Sequence, residues 1–245
     1  MQERTVFRLT GSDREEFLQN IVTNDVTRLK DGIVWAALLT PQGKYLADFF
    51  LVPAADAILL DVAREIAPAL HQRLSMYRLR ADVQIETTDI NPTRGTGPVP
   101  DGAFDDPRHP ELGWRAYDGR CGQNAEWTAI RVAHCIPETA IELIPSETYP
   151  LEAGFERLNG IDFKKGCYVG QEVTARMKHK TELKKGLAIV GVEGDAPPGT
   201  PILSQDGKPA GTLFSQANDQ GIAYLRFDRS QGEMTALSAK IRFDG

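Results

Sequence analysis

The stretch KKGCYVGQEVTAR, residues 164–176, gathers two lysines, two glycines, a cysteine, a glutamine, a glutamate and an arginine into thirteen positions. A thiol beside Lys164, Lys165 and Gly166 sits where nearby positive charge would acidify it, making Cys167 a better nucleophile or metal ligand. The flanking glycines would let a ligand come close to the backbone. A buried structural cysteine in a turn is the alternative reading. Glycine inside a helix or strand is unfavourable by up to about 1 kcal/mol relative to alanine, so the stretch suits neither element. Cys121 and Cys135 lack such a setting and read as structural. Three widely spaced cysteines, with no C-x-x-C and no zinc-type Cys/His spacing, argue against a disulfide framework or a cysteine metal site within one chain.

Three carboxylates stand out. Glu152, in YPLEAGFERLNG, is either a first-turn partner of a helix dipole or a paired acceptor for the N–H donors of an aminopyrimidine ring. Asp48 in ADFFL and Asp61 in LLDVA interrupt apolar strand runs. A carboxylate there is costly unless it is paired, faces outward or belongs to a site. His134 and Cys135 are neighbours that would point apart on a strand, so a dyad is not expected. His71 and His109 read as packed or solvated. From Asp162 to Lys185 the chain carries seven Lys/Arg against three acids, a local +4 in a protein of net charge −6. That stretch, with Arg176, Lys178, His179 and Lys180, is a solvated face or an attractor for an anion such as a polyglutamate tail or RNA.

The surrounding elements must hold these groups. SDRE (12–15) fits a capping box opening a short amphipathic helix. VWAALLTPQGKYLADFFLV reads as a hairpin turning at Pro41-Gln42-Gly43, followed by a buried strand at 57–63. A helix with Pro68 in its first turn and a strand at ADVQIET come next. Residues 91–113, rich in Pro, Gly and Asp, read as a surface connection, and WTAIRVAHCIP as a strand running into a helix or loop. After about residue 181, short strands with turn punctuation such as Asp206-Gly207 predict a small antiparallel barrel or sandwich. Hairpins mixed with helices give an α+β class with mainly antiparallel sheet.

Hydrophobic content of 41% and charged content of 25% are ordinary for a soluble globular protein. No apolar run approaches the ~18 residues that cross a bilayer, so no membrane association is expected. The charged beginning of the chain has no signal-like apolar segment, and a cytoplasmic location is expected. The acidic balance argues against a whole-protein grip on nucleic acid, and direct nucleic-acid binding is not expected.

KGCYVGQE at 165–172 resembles the K-G-C-[YF]-x-G-Q-E signature of YgfZ-type folate-binding proteins, paralogues of the glycine cleavage aminomethyltransferase. Similar stretches run from end to end: FLQNIVTNDV, LLTPQGKYLADFFL, LSMYRLRADVQI, LEAGFERLNGIDFKKGCYVGQEVTAR and the C-terminal strands. The resemblance implies an aminomethyltransferase-like folate-binding fold of interleaved α+β subdomains over residues 1–181, with a C-terminal antiparallel β-barrel over 182–245. It implies a tetrahydrofolate-binding accessory factor for assembly or repair of iron–sulfur clusters, supporting [4Fe–4S] enzymes including tRNA-thiolating ones. The implied cofactor is tetrahydrofolate or a one-carbon derivative. The implied partners are iron–sulfur proteins or their assembly machinery. Cys167 is the implied reactive residue and a transient cluster ligand; no resident metal is implied. Glu152, Asp48, Asp61, Lys165, Gly166, Tyr168, Gly170, Gln171, Glu172 and Arg176 are the implied folate contacts. Aminomethyltransferases carry paired aspartates where GKYLADFF has Ala47 and Asp48, which argues against the alternative function, a folate-dependent aminomethyl or one-carbon transferase.

Overall fold

The computed structural model describes residues 2–179 and 182–245. Strands β1 (Arg4–Thr10), β2 (Val34–Leu39), β3 (Tyr45–Ala54), β4 (Ala57–Ala63) and β5 (Gln84–Thr87) form one antiparallel sheet in the order β2-β3-β4-β1-β5. β2 and β4 are buried along their whole length, because both sheet faces are covered. On one face Leu9, Leu38, Phe49, Leu51 and Leu60 pack under helices α1 (Arg14–Ile21) and α2 (Ala67–Arg78). On the other, Trp35, Tyr45, Phe50 and Leu59 pack with Phe155 and Leu158. Side chains alternate across a strand, so Asp48, Phe50 and Asp61 share this second face. Phe50 and Asp61 are register partners across β3 and β4.

The capping box is corrected. Helix α1 starts at Arg14 behind Asp13, which makes no side-chain cap. Ser12 instead gives both its backbone N–H and its hydroxyl to Asp82, at 2.9 and 3.0 Å, and Asp13 accepts from the Asp82 N–H at 2.8 Å. These links to the chain entering β5 take the groups that would have capped the helix. The connection at 91–113 is more than a surface loop. It holds β6 (Thr93–Gly95) and β7 (Phe104–Asp105), which flank β8 (Trp114–Ala116) in a three-stranded sheet. Strands of two or three residues carry no readable periodicity. WTAIRVA forms helix α3 (Trp127–Ala133).

Past helix α4 (Gln171–Lys178), strands β9 (Lys185–Glu193), β10 (Thr200–Leu203), β11 (Pro209–Ala217), β12 (Gln220–Arg226), β13 (Glu233–Ala236) and β14 (Ala239–Arg242) close into an antiparallel barrel. Its interior is filled by Val190, Ile202, Leu213, Leu225, Met234 and Ile241. The expected division at 181/182 touches Thr181, which lies outside the described residues, as does Lys180. Arg131 joins the barrel to α3 by donating to Ser215 Oγ at 2.8 Å. Among the described residues, no helix is long and apolar enough to cross a membrane.

Candidate functional site

Residues 165–168 alternate between the interior and solvent. Lys165 and Tyr168 are buried, while Gly166 and Cys167 between them are exposed. The Lys165 ammonium donates to three backbone carbonyls, those of Gln19 (2.8 Å), Val22 (2.6 Å) and Asn24 (2.9 Å). It thereby closes the carboxyl end of α1, where carbonyls lack intrahelical partners and a cation complements the dipole. Burial lowers its pKa to about 8. Its charge is turned inward onto these carbonyls, so the electropositive field expected around the thiol has only the exposed Lys164 at close range in sequence. Tyr168 packs into the second core, with the Lys165 ammonium 5.3 Å from its ring centre, and burial pushes its pKa up to about 12.

A second anchor follows at Gly170, which precedes α4 with φ +84°. A Cβ there would stand 2.6 Å from the Thr40 carbonyl oxygen and 3.0 Å from Gly43 Cα. Only glycine lets α4 begin against the turn between β2 and β3. Around Gly166, by contrast, a Cβ would meet nothing within 4 Å. The loop thus carries Cys167 outward between two fixed points. Gln171 reaches the Gly166 carbonyl at 3.5 Å, Glu172 lies in the first turn of α4, and Arg176 is exposed in its last turn. Lys178, expected beside Arg176 as part of an anion-attracting side, is ion-paired with Glu156.

Asp48 and Asp61 do different things on the shared sheet face. Asp48 accepts from Trp35 Nε1 (2.9 Å), Tyr45 OH (2.8 Å) and Thr139 Oγ1 (2.6 Å) and lines a pocket. Asp61, with no solvent exposure, is held by Arg4 (2.6 Å), Arg115 (2.8 Å) and Tyr117 OH (2.9 Å). Burial alone would raise the Asp61 pKa, yet Arg4 and Arg115 hold it below the ordinary carboxylate value. Asp106 behaves likewise with Arg108 and Arg115. The pocket at Asp48 is lined by Arg4, Arg94, Arg108, Arg115 and Arg131, with Phe50 carrying the Arg115 and Arg108 guanidinium carbons 3.9 and 4.8 Å from its ring centre. The sequence reading missed these arginines. The one signal pointing to them was a pair of aspartates in apolar strands, which demanded partners.

Glu152 lies elsewhere, at the seam with the barrel. Its carboxylate accepts from Tyr224 OH at 2.6 Å, and its carbonyl accepts from the Leu187 N–H at 2.7 Å. It is half-buried and does not line the arginine pocket. Asp48 and Glu152 are therefore placed in separate surroundings. His109 and His134 stack at 3.9 Å, and burial raises the Cys135 pKa to about 11. Among the described residues no group of three or more metal-ligating side chains comes together.

Residues 184–244 match the family described as CAF17, C-terminal beta-barrel domain. Over 94% of this chain and 78% of the relative, the sequence is 28% identical to the mitochondrial iron–sulfur cluster assembly factor IBA57 of Mus musculus. The Homo sapiens protein of the same name is 26% identical over 97% of this chain and 82% of its own length. A mitochondrial homologue from Neurospora crassa is 29% identical over 80% of this chain, which spans only 54% of that protein. These names overturn the cytoplasmic location expected from the charged N-terminal residues, since the relatives are mitochondrial proteins. The crystal structure of glycine cleavage system aminomethyltransferase T from Bartonella henselae superposes with a TM-score of 0.73 at 12% identity, covering 98% of this chain and 82% of that one. The chain has the aminomethyltransferase fold with a C-terminal closed barrel, and its sequence is similar to iron–sulfur cluster assembly factors of the IBA57 type.

Proposed function

We propose that this chain is a tetrahydrofolate-binding accessory factor of the YgfZ type for assembly or repair of iron–sulfur clusters, serving [4Fe–4S] enzymes including those that thiolate tRNA. The observation that carries the proposal is the placement of Cys167, exposed between the buried Lys165 anchor and the jammed contact at Gly170. Such a loop presents one sulfur to a partner without moving the body of the protein. The similarity to relatives named as assembly factors supports the same reading. The cluster is the cargo. One cysteine cannot hold it alone, so Cys167 would share its iron with ligands from the partner protein.

For folate, Glu152 supplies the fitting group. One carboxylate oxygen accepts from Tyr224, and a carboxylate has further lone pairs for the paired N–H donors of a pterin. When bound, tetrahydrofolate would supply a one-carbon unit or act as a sensor of its availability; the protein's part is to orient it. Calorimetric titration of tetrahydrofolate into wild-type protein and Glu152→Ala tests this reading. Loss of a charge-assisted hydrogen bond predicts roughly tenfold or greater weakening in the variant. Equal affinity would discard the pterin contact, and no binding to wild type would discard the folate premise.

A further inference from the structure

One cation in the arginine-lined pocket is left over. Arg4 and Arg115 share Asp61, Arg108 and Arg115 share Asp106, and Arg131 is held by Glu138 and Glu142. Arg94 has no ion-pair partner among the described residues. Its guanidinium lies over the Trp127 ring at 4.0 Å, and its Nε is enclosed without a hydrogen-bond partner. The hydroxyl of the preceding residue, Thr93, is also enclosed and unpartnered. Burial, and after it the neighbouring Arg115, lower the Arg94 pKa to about 10, so it stays charged at neutral pH. Buried polar groups are normally satisfied, and two adjacent exceptions on one pocket wall call for a missing partner.

The charge and shape of the pocket narrow what that partner is. Five arginines and two acids, Asp48 and Glu138, line it, in a chain of net charge −6. A guanidinium matches the two coplanar oxygens of a carboxylate, and the Thr93 hydroxyl adds a third donor. Because Asp61, Asp106, Glu138 and Glu142 already offset the other four arginines, one unpaired positive charge is left, which suits a singly charged carboxylate better than a doubly charged phosphate. We propose that Thr93 and Arg94 form the recognition wall of a carboxylate-binding subsite. Two sources share this chemistry: the glutamate end of a bound folate, which rests on the function proposed above, and a free amino acid.

The test compares tetrahydrofolate, tetrahydropteroate (which lacks the glutamate) and free glutamate by calorimetric titration into wild type, Arg94→Gln and Thr93→Val. Thr93→Val removes an enclosed unpartnered hydroxyl, and Arg94→Gln removes the enclosed Nε at the cost of the Trp127 contact, so both variants are expected to fold with melting temperatures close to wild type. A purely structural Arg94 would instead lower the melting temperature and leave affinities unchanged. If the folate glutamate occupies the subsite, wild type prefers tetrahydrofolate over tetrahydropteroate by roughly tenfold or more, and Arg94→Gln loses that preference. If the source is a free amino acid, glutamate binds wild type and not Arg94→Gln. That outcome without any folate binding would end the folate reading and leave the subsite standing. Wild type binding none of the three, or both variants binding all of them as wild type does, would overturn the subsite.

Discussion

The loop at 165–170 and the arginine-lined pocket differ in how they hold buried cations. In the loop the buried cation has its partners: Lys165 meets three carbonyls, while the enclosed Tyr168 hydroxyl has none among the described residues, Cys167 is exposed and a Cβ at Gly166 would meet nothing within 4 Å. In the pocket four arginines are tied to acids, while Arg94 and Thr93 keep enclosed groups without partners. The difference separates two ways of making a site. One region ties its buried cation to backbone carbonyls and leaves a thiol exposed, whereas the other keeps a cation with no acid partner among the described residues.

Breaking the frame behind the pocket has the largest expected effect on stability. Asp61→Asn leaves the buried guanidiniums of Arg4 and Arg115 without their shared counter-charge, and about 3–5 kcal/mol should be lost in denaturant unfolding. The effect has a pH signature. The folded pKa values of Asp61 and Asp106 lie below the ordinary 3.8, so their contribution is complete above that value and is lost as pH falls through the lowered folded values. The stability gap between wild type and Asp61→Asn should therefore persist from pH 7 to pH 5 and close only in stronger acid.

On the loop, Lys165→Ala should cost about 2–3 kcal/mol, because it strands carbonyls at the end of α1. Gly170→Ala should cost about 1–3 kcal/mol through its positive φ and the approach of Thr40. Gly166→Ala, with open space around it, should change stability by less than about 0.5 kcal/mol. A large loss at Gly166 together with none at Gly170 would invert the proposed division between anchors and presented residues.

What could be read in advance follows the range of the interactions. The hairpin at 41–43, the buried strand at 57–63 and the late barrel depend on local periodicity and turn chemistry, and the structure has them. The unusual composition of 164–176 marked Cys167, but the inward turn of Lys165 was invisible, because its partners lie some 140 residues earlier. The pocket was hidden for the same reason. Arg4, Arg94 and Arg131 converge from separate elements, and two of the contributing strands, β6 with Arg94 and β8 with Arg115, are only three residues long. Asp48 and Asp61 were recognisable as costly, yet nothing local told that Asp61 would be saturated by arginines while Asp48 would face the pocket.

The central claim is that Cys167 is presented for chemistry by a frame that does not depend on it. Cys167→Ser in cells relying on this chain, read by the activity of [4Fe–4S] enzymes alongside the variant's unfolding curve, tests it most directly. Enzyme activity should be lost while stability stays within about 0.5 kcal/mol of wild type. Full [4Fe–4S] activity from a stably expressed Cys167→Ser protein would contradict it.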